Sequence, residues 1–205
     1  MGGHQFSTKD RILSAAEELF AQYGFAGTSL RQVTGRADVN IAAVNYHFGS
    51  KENLVNEVFR RRMDQMSRMR LEKLREAQAS HPGELEPILA AFVEPALAMA
   101  QDRNGGGAFI RVIARAYAEQ NDRLRRFLSD HYGHVQREFA RAIAGCLPHL
   151  GKQVLYWRLD FLAGALTYAM ADFGLIKRPP DVSEAAHRQR AARELIKFAA
   201  AGLRS

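Results

Sequence analysis

Between residues 40 and 51 the chain gathers two amides (Asn40, Asn45), a phenol (Tyr46), an imidazole (His47) and an ammonium group (Lys51). These groups can hydrogen-bond to phosphate oxygens and to the edges of bases. A helix over about Asn40 to His47 arranges them, because each residue turns the chain by about 100°. With Val44 pointing inward, Phe48 lies about 40° away and Ile41 about 60° away, so these three form the expected buried stripe. Ala42 and Tyr46 then point outward, with Ala43 and His47 on one flank and Asn45 on the other. Ala42 and Ala43 let the backbone come close to a groove, and an alanine methyl can meet a thymine methyl. Asn45 can pair with an adenine edge, or Asn40 can do so from the helix start. Tyr46 and His47 can donate to phosphates. Lys51 adds a cation at the start of the next helix, and Arg31 can reach phosphate or guanine. Thr28 stands at a helix N-terminus, where free N–H groups attract an anion. The competing reading is a small helical module that only packs, since an exposed Tyr–His pair is also an ordinary solvated surface.

The elements that position these residues follow from periodicity. Nearly every segment repeats at the helical period and none alternates at period two. The reading is all-α, with about nine helices. Helix one carries the stripe Ile12, Ala16, Leu19, Phe20 and Tyr23, with Ser7 or Thr8 as N-cap and Gly24 as stop. Helix two runs from about Ser29 to Arg36, with Thr28 able to cap it. Ala37-Asp38-Val39 is a tight break before helix three. Ser50 can cap a long fourth helix reaching about Ala79. Pro82-Gly83 separates this from helix five, about Glu84 to Gln101, where Pro95 predicts a kink. Asn104 to Gly107 reads as a flexible joint. Helix six covers about Ala108 to Glu119, and Asn121 or Asp122 caps helix seven, which ends near Cys146. Helix eight covers about Gln153 to Leu175, and Pro179-Pro180 breaks it. Ser183 caps a final helix to about Leu203. Two short helices joined by a tight turn near residue 38 form a helix-turn-helix.

Composition narrows the class. The chain has 205 residues, 47% hydrophobic and 25% charged, an ordinary globular mixture. Its formal net charge of +7 suits a polyanionic partner. One cysteine, Cys146, permits no intramolecular disulfide and fits a reducing cytoplasm. Met1 to Thr8 lacks the pattern of a signal peptide, and the apolar run from Ile88 to Ala100 is too short to span a bilayer, so a soluble protein off the membrane is expected. No G-x-S-x-G, P-loop or H-E-x-x-H motif is present, which argues against an enzyme. His131 and His134, near Asp130, lack a third clear ligand, so neither a metal nor any other cofactor is expected.

The stretches Thr28-Ser29-Leu30-Arg31-Gln32-Val33, Ala37-Asp38-Val39-Asn40 and Asn45-Tyr46-His47-Phe48-Gly49-Ser50-Lys51-Glu52-Asn53-Leu54 resemble the DNA-binding domain of the TetR family. The resemblance covers about residues 8 to 60, and the chain length and helix count fit it. It implies a helix-turn-helix domain over 1–50, and a ligand-binding and dimerisation domain over 51–205 with helix four as connector. It implies that Thr28, Arg31, Asn40, Ala42, Ala43, Asn45, Tyr46, His47 and Lys51 lie at or near double-stranded DNA, at an imperfectly palindromic operator. Many members carry an aromatic residue where this chain has Asn45, so base preference there does not transfer.

The same resemblance implies a homodimer in which helices eight and nine form a four-helix bundle with a second subunit. Phe161, Ala165, Tyr168 and Ala169 recur at helical spacing beside the small Ala163 and Gly164. Ala192, Leu195, Ile196, Ala199, Ala200 and Leu203 form a stripe in the last helix. The expected ligand cavity draws on Phe92, Met99, Phe109, Ile113, Tyr117, Trp157, Phe161 and Met170. So few charges favour an apolar effector. Trp157-Arg158 with Phe161 and Gly164, and the ending Phe198 to Leu203, further resemble a TetR subgroup that represses fatty-acid degradation genes. That implies a fatty acid or acyl-CoA ligand. The expected function is a repressor released from its operator by a small apolar ligand. The alternative is a ligand-binding or interaction module without DNA binding, which salt-dependent duplex binding would separate from a regulator.

Overall fold

Side-chain caps set most of the helix starts. Ser7 Oγ accepts from the Asp10 amide at 3.1 Å and opens α1, Thr8–Tyr23. Ser29 opens α2, Leu30–Ala37, through a reciprocal pair in which it accepts from Gln32 N–H while the Gln32 side chain accepts from Ser29 N–H at 2.7 Å. Asn40 Oδ1 accepts from Ala43 N–H at 2.9 Å and opens α3, Ile41–Phe48. Ser50, Asn121 and Ser183 do the same for α4, Lys51–Ser80, α7, Asp122–Cys146, and α9, Glu184–Arg204. The remaining helices are α5, Leu85–Ala100, α6, Gly106–Ala118, and α8, Lys152–Met170. The computed structural model describes residues 7–100, 105–119, 121–171 and 176–205, and among the described residues there are nine helices and no strand.

Several local expectations shift. The cap of α2 is Ser29 rather than Thr28, because the Thr28 hydroxyl is turned inward onto main-chain carbonyls. Gly106 and Gly107 belong to α6, and only Gly105, at φ 106°, adopts the left-handed turn before it. L side chains rarely adopt that conformation, so the turn calls for glycine. Tyr23, assigned to the α1 stripe, is exposed at the helix end. The end of helix eight expected at Leu175 falls at 172–175, outside the described residues.

Two compact units emerge. The first comprises Met1–Asp64 and Asp102–Leu128. Its core joins Ile12, Ala16 and Phe20 of α1 to Val33 of α2, Val44 of α3, Leu54, Val58 and Phe59 of α4, and Phe109 of α6, all buried. Aromatic rings link it, with centroids 5.3 Å apart for Phe20–Phe25, 6.2 Å for Phe25–Phe59 and 5.5 Å for Phe59–Phe109. Each such side chain contributes about 1.5–3 kcal/mol on burial. A buried charge must be paired, and Arg62 meets Glu17 here at 3.2 Å. The short helices share this core with side chains of α4 and α6.

The second unit comprises Gln65–Gln101 and Ser129–Ser205. Its centre is α5, apolar nearly all round, which packs chiefly on α9 and α8. Arg70 lies buried in it, with its guanidinium 3.8 Å from the Phe92 ring centroid and its Nε donating to the Phe92 carbonyl at 2.9 Å. At the surface, both nitrogens of the Arg204 fork reach the Glu86 carboxylate, at 2.6 and 2.7 Å, tying the end of α9 to the start of α5.

Candidate nucleic-acid interface

The turn between α2 and α3 is Asp38-Val39-Asn40. Asp38 takes a left-handed conformation at φ 52°, a conformation open to aspartate because its short polar side chain can bond locally. Val39 N–H closes the turn on the Thr34 carbonyl at 3.1 Å. Arg36 fixes α2 to α1 through a two-nitrogen contact with one Glu18 oxygen, at 3.0 and 2.7 Å. At the far end of α3, Gly49 turns the chain at φ 73°, and Asn53 Nδ2 donates to the Phe48 carbonyl at 3.0 Å. Both ends of α3 are therefore tied down.

Val44 and Phe48 face the core at 1% and 5% exposure, whereas Tyr46 is 86% exposed. Ala42, Asn45 and His47 are exposed as well, Ala43 is half-buried, and the Tyr46 and His47 rings meet edge to face with centroids 5.1 Å apart. Arg31 is exposed on α2, and Lys51 is half-buried at the start of α4. The structure thus brings Arg31, Ala42, Asn45, Tyr46 and His47 to the surface of one small module.

Three residues sit differently from expectation. Thr28 is 1% exposed, and its hydroxyl donates to the Gly24 carbonyl at 2.8 Å, so its side chain serves the α1–α2 turn. Asn40 is exposed, but its carbonyl oxygen is engaged as the α3 cap. Ile41, expected inside, is 45% exposed. Its angular position was right, but angle alone does not say whether a neighbour reaches that level of the helix, and Ile41 stands in the first turn.

The module is held from behind by α6. Glu119 Oε1 accepts from Phe25 N–H at 3.0 Å, and Arg115 Nη2 donates to the Gln22 carbonyl at 3.1 Å. Neither residue was legible as functional in the sequence, because each lies more than ninety positions from its partner.

The expected effector residues are divided between the two units. Phe109 is buried and Ile113 half-buried in α6, in the first unit. Phe92 and Met170 are buried and Met99 is half-buried in the second. The Tyr117 side chain lies outside the described residues. Trp157 and Phe161 are 57% and 66% exposed on the outer face of α8, with ring centroids 5.9 Å apart, which removes them from an interior lining. Among the described residues no three His, Cys, Asp or Glu side chains cluster as a metal site, and no helix is long and apolar enough to cross a membrane.

Two short helices, a three-residue turn and an outward face of small and hydrogen-bonding side chains define a helix-turn-helix. The family model described as bacterial regulatory proteins, tetR family, matches residues 12–58, and that described as tetracyclin repressor-like, C-terminal domain, matches residues 90–202. The chain belongs to the TetR family, whose members are transcriptional regulators rather than enzymes. It is 47% identical over 57 residues to the probable HTH-type transcriptional regulator YttP of Bacillus subtilis, across 26% of this chain and 28% of that one. It is 49% identical over 47 residues to an HTH-type transcriptional repressor of Mycobacterium tuberculosis, across 23% and 25%. The chain therefore spans only about a quarter of the length of these relatives. Its fold is similar to that of Mycobacterium smegmatis AmtR, at a TM-score of 0.65 and 17% identity, covering 98% of this chain and 88% of that one.

Proposed function

We propose that the protein represses transcription by binding an imperfectly palindromic operator as a two-fold homodimer. A small, mostly apolar effector releases it, and a fatty acyl chain is the leading chemistry. The observation that carries the reading is the outer face of α3, where a phenol at 86% exposure stands beside Ala42 and Asn45 on a helix pinned at both ends. In this role Ala42 and Ala43 admit the helix to the major groove, and Asn45 reads a base edge. Tyr46 and His47 hold phosphates, with Arg31 and Lys51 adding charge. Thr28 and Asn40 contribute by shaping the module. Such a regulator works in the cytoplasm.

The dimer reading is supported by α8, where Trp157, Phe161 and Tyr168 are exposed around Gly164, and by Phe198 on α9 at 72% exposure. A two-fold pairing there would set two recognition helices about 34 Å apart. The effector would lodge in the apolar second unit near Phe92, Met99 and Met170. Because α4 contributes to both units, a shift at its C-terminal half is passed along one helix to the start at Lys51. A coupling of about 1–3 kcal/mol would change operator affinity 5- to 150-fold.

The test is selection of a site from random duplex, followed by affinity against salt concentration and a melting screen with fatty acids and acyl-CoA esters. A selected palindrome, affinity falling steeply with salt, and an acyl ligand that raises the melting midpoint and weakens operator binding are expected. Failure to bind any duplex overturns the regulator reading. A midpoint raised only by small polar metabolites overturns the acyl proposal alone.

A further inference from the structure

We infer that Ile41 is a base-reading residue: with Ala42 it meets the 5-methyl group of a thymine in the major groove, so each half-site carries thymine opposite the first turn of α3. This rests on the DNA-binding function proposed above. Three observations lead to it. First, Ile41 is 45% exposed while Val44 and Phe48, which share its stripe by angle, are 1% and 5% exposed. Its branched side chain therefore adds little to the core. Second, it lies at the edge of the outward face, between the covered Phe48 and the exposed Asn45. Ile41 and Asn45 are four residues apart and differ by about 40° round the helix, as do Ala42 and Tyr46. Ile41 thus lies on the same strip as the amide expected to read a base, one turn nearer the N-terminus, the end of a recognition helix that meets base edges.

Third, the side chain that directly precedes that turn is engaged as a cap. Asn40 Oδ1 accepts from Ala43 N–H at 2.9 Å. Pairing with adenine in the major groove takes both the oxygen and the nitrogen of the amide, turned together to the base edge, whereas the cap turns the Asn40 oxygen to the helix end. The first turn then offers hydrocarbon alone, from Ile41 and Ala42. Among the base edges of the major groove, only thymine presents a hydrocarbon group there. A guanine or cytosine at that place would lose water from its polar edge without a replacement partner, and this would act against it.

The test uses the full chain and the duplex it selects from a random library, so that failure to select any duplex tells against the proposed function and not against this inference. Thymidines in the selected site are replaced one at a time, symmetrically in both half-sites, by deoxyuridine, which lacks only the methyl group. One position is expected at which wild-type affinity falls roughly four-fold per half-site, the worth of one buried methyl group. At that position Ile41→Ala should bind the thymine duplex with a similar loss and be clearly less sensitive to deoxyuridine than the wild type, with Ala42 alone left to meet the methyl group. Its melting curve should match the wild type, since the site is half exposed and alanine favours helix. Wild-type affinity unchanged by deoxyuridine at every position overturns the inference. So does an Ile41→Ala protein, folded by its melting curve, that stays as sensitive as the wild type at every position. Ile41→Val, which keeps part of the contact, should fall between the two.

Discussion

Replacing Gly24 should be among the most damaging single changes in the DNA-binding unit, and the structure says how the loss divides. Gly24 has φ 77° and ψ 175°, a region essentially reserved for glycine, where a side chain costs about 1–3 kcal/mol. A Cβ there would also collide with Glu119 Oε1, the acceptor of Phe25 N–H. Moving that carboxylate aside forfeits a hydrogen bond to a charged group, about 1.5 kcal/mol at the low end because Glu119 is exposed. Gly24→Ala should therefore cost roughly 3–4 kcal/mol, which at this chain length lowers the melting midpoint by about 10 °C. Urea unfolding followed by far-ultraviolet circular dichroism measures it, for Gly24→Ala, Glu119→Ala and the double variant. Glu119→Ala alone should cost about 1.5 kcal/mol. In its background Gly24→Ala should cost only the backbone share, about 2 kcal/mol. Equal cost of Gly24→Ala in both backgrounds would show that the carboxylate and the turn are not coupled. A cost below about 0.5 kcal/mol would refute the whole account of the turn.

Tyr46→Phe should weaken binding by about 1 kcal/mol on selected and random duplex alike, measured by fluorescence anisotropy, because a phosphate contact carries no sequence information. A loss confined to the selected site would contradict the phosphate role. Phe161→Asp should give a folded monomer in analytical ultracentrifugation, since a side chain 66% exposed in one subunit adds little to that subunit's own core. A stable dimer would place the seam elsewhere. The Arg204 hydrogen bonds hold the Glu86 carboxyl below its ordinary 4.5. A carboxyl whose folded pKa is depressed adds stability that is present above the ordinary value and lost as pH falls through the folded one. Glu86→Gln should therefore flatten the acid side of the stability–pH curve below about pH 4.5. An unchanged acid limb would show that the pair contributes nothing.

Much of this protein is local, and the caps at Ser7, Ser50, Asn121 and Ser183 could be read directly. Ser7, Ser29, Asn40, Ser50, Asn121 and Ser183 each cap the helix that follows within three residues. The expectation at α2 failed by one residue because Thr28 had a better partner in the Gly24 carbonyl, on a turn whose course depends on distant packing. The helix-turn-helix was legible for the same reason as the caps, since its breaks at Asp38 and Gly49 are backbone conformations suited to the residues that occupy them.

Burial was less legible. Ile41 and Phe48 share a stripe, yet one is exposed and the other covered. Trp157 and Phe161 have the composition of a cavity lining and face outward. Glu119 looks like any charge at a helix end until it meets Phe25, ninety-four positions earlier. The sequence by itself determined where helices start and stop, because a helix's backbone hydrogen bonds close within four residues. Tertiary structure alone decided which faces are covered and which side chains meet, because burial is a relation between elements far apart in the chain.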